Sequence, residues 1–188
     1  MTLDLSQLCD TSVLAGAAAG AITMSRLIEA TRLSPAEDIV FLDFRRIEVA
    51  TSSFLRECLI GFRDSVRRGP KVLYPVAANL KPVVEEEFHN LLIAMNEAHV
   101  SCRLNARAVP SEARILGRLD DKQILTLREV QARGEVDASM LAAQGEKVGT
   151  TAWNNRLASL AAKGILKTRQ IGRAKRFTLV LRELSYGT

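Results

Sequence analysis

The chain has 188 residues, 47% of them apolar and 25% charged, enough to bury a core and far from the composition of a disordered or fibrous protein. No apolar run reaches the roughly 18 residues needed to cross a bilayer, and the Ala-rich stretch 13–22 follows Asp4 and Asp10 with no Lys or Arg, the wrong sign for a secretory leader, so a cytoplasmic chain with no membrane partner is expected. The net charge of +5 is unevenly spread: residues 1–110 hold 12 Lys and Arg against 13 Asp and Glu, residues 111–188 hold 14 against 8, and from Lys147 onward the count is 9 against 1, the footprint of a nucleic-acid-binding segment.

Residues 15–31 read as a helix weakened by Gly16 and Gly20. Those two glycines put small residues on one face, a weak signal for close helix packing and a candidate contact with a second copy. Residues 39–44 (Ile-Val-Phe-Leu-Asp-Phe) are a short apolar run suited to a buried strand. After Ser53, the apolar residues Phe54, Cys58, Leu59, Phe62 and Val66 recur at helical spacing until Gly69-Pro70 breaks the pattern. Residues 71–76 predict a second strand. Val84, Phe88, Leu91, Leu92 and Met95 form one face of a helix whose first turn suits Pro82. Residues 100–104 predict a third strand. Strands joined by helices imply a parallel or mixed sheet. Pro110 and Ser111 interrupt the apolar pattern, so a junction is placed at 106–112, between units spanning 1–108 and 112–188.

The second unit carries three helical segments in quick succession. Residues 120–133 turn Ile124, Leu127 and Val130 inward and stop at Gly134. Asp137 suits the cap of a second helix, which carries Met140 and Leu141 to Gly145. The third starts after Gly149 and runs to Lys163, with Trp153, Leu157, Leu160 and Ala161 in one buried stripe. Residues 165–170 and 175–181 then flank Gly172, a hairpin signal.

This order, with Thr151-Ala152-Trp153-Asn154-Asn155-Arg156-Leu157-Ala158-Ser159-Leu160 followed by Gly164-Ile165-Leu166, resembles the winged helix-turn-helix of bacterial transcription regulators. The resemblance implies a recognition helix and a basic wing on double-stranded DNA. With Trp153 and Leu157 inward, Thr150, Thr151, Asn154, Asn155 and Ser159 face outward, with Arg156 beside them. Short amides and hydroxyls suit base edges and phosphates better than they suit an ordinary solvated face, which carries Glu and Lys. Lys167, Arg169, Arg173, Lys175 and Arg176 of the wing are candidate phosphate ligands.

Phe41-Leu42-Asp43-Phe44 followed by Ala50-Thr51-Ser52-Ser53-Phe54 resembles the STAS-like α/β domains of bacteria, related in fold to anti-sigma-factor antagonists. In the antagonists the turn reads Asp-Ser-Ser-Gly and its first Ser is a phosphoacceptor, a position that falls on Thr51 here; Ala50 and Ser53 replace the Asp and the Gly. Thr51, Ser52 and Ser53 are therefore candidates for a phosphoacceptor or anion site, beside their plain role as helix caps. His89 and His99 are the only histidines, and the three cysteines are widely spaced. Neither a metal site, a cofactor nor a catalytic constellation is expected. The sequence thus predicts an α/β unit joined to an α+β unit in a homodimeric, non-enzymatic DNA-binding regulator. The alternative is a partner-switching adaptor, whose first unit binds a kinase or anti-sigma factor and whose winged helix binds protein.

Overall fold

The computed structural model describes residues 1–35, 38–69, 72–143, 148–172 and 174–186, with Arg68 described by its backbone alone. The chain runs β1 (Thr2–Asp4), α1 (Leu5–Cys9), β2 (Val13–Leu14), α2 (Ala17–Ala30), β3 (Ile39–Asp43), β4 (Val49–Ala50) and α3 (Ser52–Leu55). A π turn at Arg56–Ile60 leads into α4 (Gly61–Arg68), then β5 (Tyr74–Ala78), α5 (Pro82–Ala94), β6 (Ala98–Leu104) and β7 (Pro110–Gly117). The rest is α6 (Asp121–Arg133), β8 (Glu135–Val136), α7 (Ala138–Ala142), α8 (Thr150–Ala162), β9 (Leu166–Ile171) and β10 (Ala174–Leu179).

The fold is mixed α/β around a sheet ordered β1-β3-β5-β6-β7. The first four strands are parallel, with Leu3 opposite Leu42, Val40 opposite Pro75 and Ala77 opposite Ser101, and β7 closes the edge antiparallel with Val100 opposite Ile115. Both sheet faces are covered, which is why β3 and β5 read as continuous apolar runs rather than alternating ones. On one face Val40, Leu42, Ala77 and Leu116 pack with Leu27, Phe54, Phe62, Phe88 and Leu92 of the helices. On the other face Phe41, Tyr74, Val76, Val100, Cys102 and Ile115 share one core with Leu127, Trp153, Leu157, Ile165 and Phe177 of the C-terminal segment.

Three expectations change. Residues 110–112, placed within the junction expected at 106–112, belong to strand β7. Asn105 receives the N–H groups of Arg107 and Val109 and turns the chain into β7, whose first residue, Pro110, sits where an edge strand tolerates a missing donor. The sheet ends instead at Gly117, with φ +88°, where a Cβ would lie 2.3 Å from the Glu97 carbonyl oxygen. Strands β1 and β7 were not foreseen, and β5 lies later than 71–76. Gly20 does not face outward: a Cβ there would lie 2.7 Å from the Phe54 carbonyl oxygen, so this glycine lets α2 approach α3 within the chain. Gly16 precedes α2 with φ +87°, a conformation costly for other residues.

The C-terminal tail returns to the first sheet. Ser185 donates its N–H to Ala113 and accepts from Ile115, each at 2.9 Å, alongside β7. The Tyr186 hydroxyl accepts from the Leu119 N–H at 2.8 Å. No helix among the described residues is long and apolar enough to cross a membrane.

Candidate nucleic-acid interface

The C-terminal segment is built by its caps. Asp120 and Gln123 form a capping box at the start of α6, and Asp137 accepts from the Met140 N–H at 2.8 Å to start α7. The two-residue β8 joins the β9–β10 hairpin in the order β8-β10-β9, with Val136 opposite Phe177. Gly149 precedes α8, and Trp153, Leu157, Leu160 and Ala161 are buried, as the i, i+4, i+7, i+8 spacing requires. Val148 packs against the same core. The expected α7–α8 turn at Gly145 lies outside the described residues.

Burying that stripe leaves Thr150, Thr151, Asn154 and Asn155 exposed. Their side chains make no hydrogen bond among the described residues, so nothing described competes for their donors and acceptors. Ser159 is different: it accepts from Gln123 Nε2 at 2.8 Å and is committed to α6. Arg156 also turns inward, its guanidinium lying 4.9 Å from the centre of the Trp153 ring with Nη1 buried.

The basic residues of the hairpin divide. Lys175 is exposed and shares a cavity of about 370 Å³ with Thr150, Thr151 and Asn154. Arg169 is exposed and stands opposite Arg176 in the ladder. Arg176 is half-buried, 3.4 Å from the Asp137 carboxylate and in contact with the Met140 sulfur at 2.7 Å, so it braces the hairpin against α7. Lys167 points to the sheet, 5.6 Å from the centre of the Tyr74 ring. Arg173 lies outside the described residues. The structure therefore leaves Thr150, Thr151, Asn154, Asn155, Lys175 and Arg169 exposed, brings Lys175 beside Thr150, Thr151 and Asn154, and draws Arg156, Lys167 and Arg176 into packing.

The Thr51-Ser52-Ser53 turn is half-buried and occupied. The Thr51 hydroxyl accepts from the N–H groups of Gly16 at 3.1 Å and Phe54 at 3.4 Å. Ser52 donates both its N–H, at 2.9 Å, and its hydroxyl to the Glu87 carboxylate from α5. A carboxylate of the chain thus already holds the anion position at this helix start. The run Glu85-Glu86-Glu87 conceals this role, because its plain reading is a charged helix start; Glu85 pairs instead with Arg114.

Burial pushes the Cys102 thiol up to about 12 and the Cys58 thiol higher still, so neither supplies a thiolate at neutral pH. Burial, aided by the charge of Arg63, holds His99 down at about 4. No group of three or more metal-ligating side chains occurs among the described residues. Comparison of the chain with protein-family models, curated proteins and solved structures gives no match.

Proposed function

We propose that the protein binds double-stranded DNA as a regulator, reading base edges with the N-terminal half of α8 and holding phosphates with Lys175, Arg169 and Arg173. One observation carries this reading: a strip of amides and hydroxyls at the start of a helix is exposed and unbonded among the described residues, and it adjoins the exposed Lys175 of a hairpin. The order helix, short strand, helix, helix, hairpin matches a winged helix-turn-helix, in which that helix enters the major groove with its N-terminal residues on the bases. Asn suits adenine edges and Thr a phosphate or a thymine methyl.

The STAS-like sheet unit serves as the rigid carrier of this reading head and as the place for dimerisation or signal input. A two-fold dimer pairs two recognition helices with a palindrome and gains affinity by tethering. Gel shifts of the full chain on random-sequence duplex at two salt concentrations test the reading. Binding that weakens as salt rises is the expected result. No binding at the lower salt removes it and leaves the adaptor, whose C-terminal segment contacts protein. Light scattering on the full chain separates dimer from monomer.

A further inference from the structure

A cavity of about 890 Å³ lies between the helix layer and the C-terminal segment. Its walls come from α4, from the second half of α8 and from the β9–β10 hairpin. The carboxylates around it are engaged. Asp64 holds Arg63 at 2.9 Å, Glu97 holds Arg63 at 3.1 Å and Lys163 at 3.3 Å, and Asp120 accepts from the Gln123 N–H at 2.8 Å as the α6 cap.

Two cations of this cavity have no ion pair within 4 Å among the described residues. Arg67 stacks on Tyr74, 5.3 Å from the ring centre, and its Nη1 is buried without a hydrogen-bond partner. Burial holds its pKa below the ordinary arginine value, as expected for a charge incompletely compensated. Lys175 is exposed, its Nζ 5.9 Å from the centre of the Phe177 ring. A buried guanidinium N–H left without an acceptor is costly, and the same side chain lines space large enough for a ligand.

We propose that this cavity binds a small doubly charged oxyanion, of the phosphate-monoester class, clamped between Arg67 of α4 and Lys175 of β10. Two unpaired cations match the dianion, and guanidinium N–H groups suit phosphate oxygens. The Thr168 side chain at the cavity wall adds a neutral donor. Lys175 also borders the smaller cavity beside Thr150, Thr151 and Asn154. On the DNA reading proposed above, a ligand that holds Lys175 toward Arg67 removes it from the DNA phosphates. The oxyanion then acts as an effector that weakens DNA binding, and DNA weakens oxyanion binding by the same factor.

The test titrates inorganic phosphate into the full chain without DNA, at constant ionic strength with chloride as control, followed by calorimetry and melting temperature. Saturable binding is expected, weakened about tenfold or more by Arg67→Gln and by Lys175→Gln, the loss of one charge-assisted contact. Arg182→Gln, at an exposed cation outside the cavity, is expected to bind as the parent does. Because Arg67 also packs on Tyr74, the exposed Lys175 provides the variant that leaves the fold intact. A non-saturating response, or saturable binding indifferent to both cavity variants, overturns the proposal. So does a chain that ignores phosphate but loses affinity for a short duplex on Arg67→Gln, which makes the cavity part of the DNA contact. Phosphate binding by a chain that ignores DNA upholds this proposal and removes the DNA reading.

Discussion

The phenol oxygen of Tyr74 accepts a hydrogen bond from the backbone N–H of Thr168 at 2.9 Å, joining the centre of the parallel sheet to the first strand of the C-terminal hairpin. The same ring carries Arg67 on one element and Lys167 on another. Tyr74→Phe keeps the ring and removes the acceptor, leaving the Thr168 N–H unpaired at a part-buried site. The expected cost is about 1–3 kcal/mol. Because one core spans the sheet face and the C-terminal helices, the loss lowers a single transition, with calorimetric and van't Hoff enthalpies in agreement. Two separate transitions in the parent chain would contradict a shared core.

The hairpin cations are expected to differ in kind. Arg169→Ala with Lys175→Ala reduces the slope of log affinity against log salt by up to about two contacts, at roughly 0.9 each. Arg176→Ala leaves that slope in place and lowers stability instead, since Arg176 is held by Asp137. Equal loss of slope on Arg176→Ala would place that side chain on the phosphates and refute the bracing role.

Asn154→Ala and Asn155→Ala are expected to reduce discrimination between a selected site and random duplex by about 1–3 kcal/mol for whichever amide meets a base. Non-specific affinity changes little. Ser159→Ala, whose hydroxyl belongs to α6, leaves discrimination untouched. Full discrimination in both Asn variants argues that α8 is not the reading helix.

His99 makes stability depend on acidity. Its folded pKa of about 4 lies below the unfolded value of about 6.5. Between these values the unfolded chain binds a proton that the folded chain refuses. Stability is therefore full above the upper value and falls as pH drops through the window. The slope from this residue approaches about 1.4 kcal/mol per pH unit. Denaturant unfolding at pH 7 and pH 5 measures it, and His99→Gln is expected to flatten the dependence in that window. A parent and variant with the same pH dependence would show that His99 titrates normally.

The readable parts of this chain were those decided locally. The α8 stripe, the Asp137 cap and the β3 run each depend on neighbours within a few residues, and all are where spacing puts them. β1 has only three residues and draws its strand character from pairing with β3. β7 opens with Pro110 and Ser111, which read as a breaker until β6 lies beside them. The charges of Lys167 and Arg176 were legible, but not their direction. Tyr74, which turns Lys167 inward, stands on another sheet, and Asp137 is both a cap and the partner of Arg176. Glu87 could not be matched to Ser52 from sequence, because only the packing of α5 near α3 brings them together.

The tail that returns along β7 bears on self-association. A bare edge strand offers its N–H and C=O groups to any passing chain. Here Ser185 already takes the donor of Ile115 and the acceptor of Ala113, and Tyr186 anchors the return at Leu119. Growth of the sheet into a ribbon of stacked molecules at that border requires peeling Ser185 and Tyr186 away first. The Ser185–Tyr186 return thus acts as a selvedge, a border that keeps a woven sheet from being extended on that side.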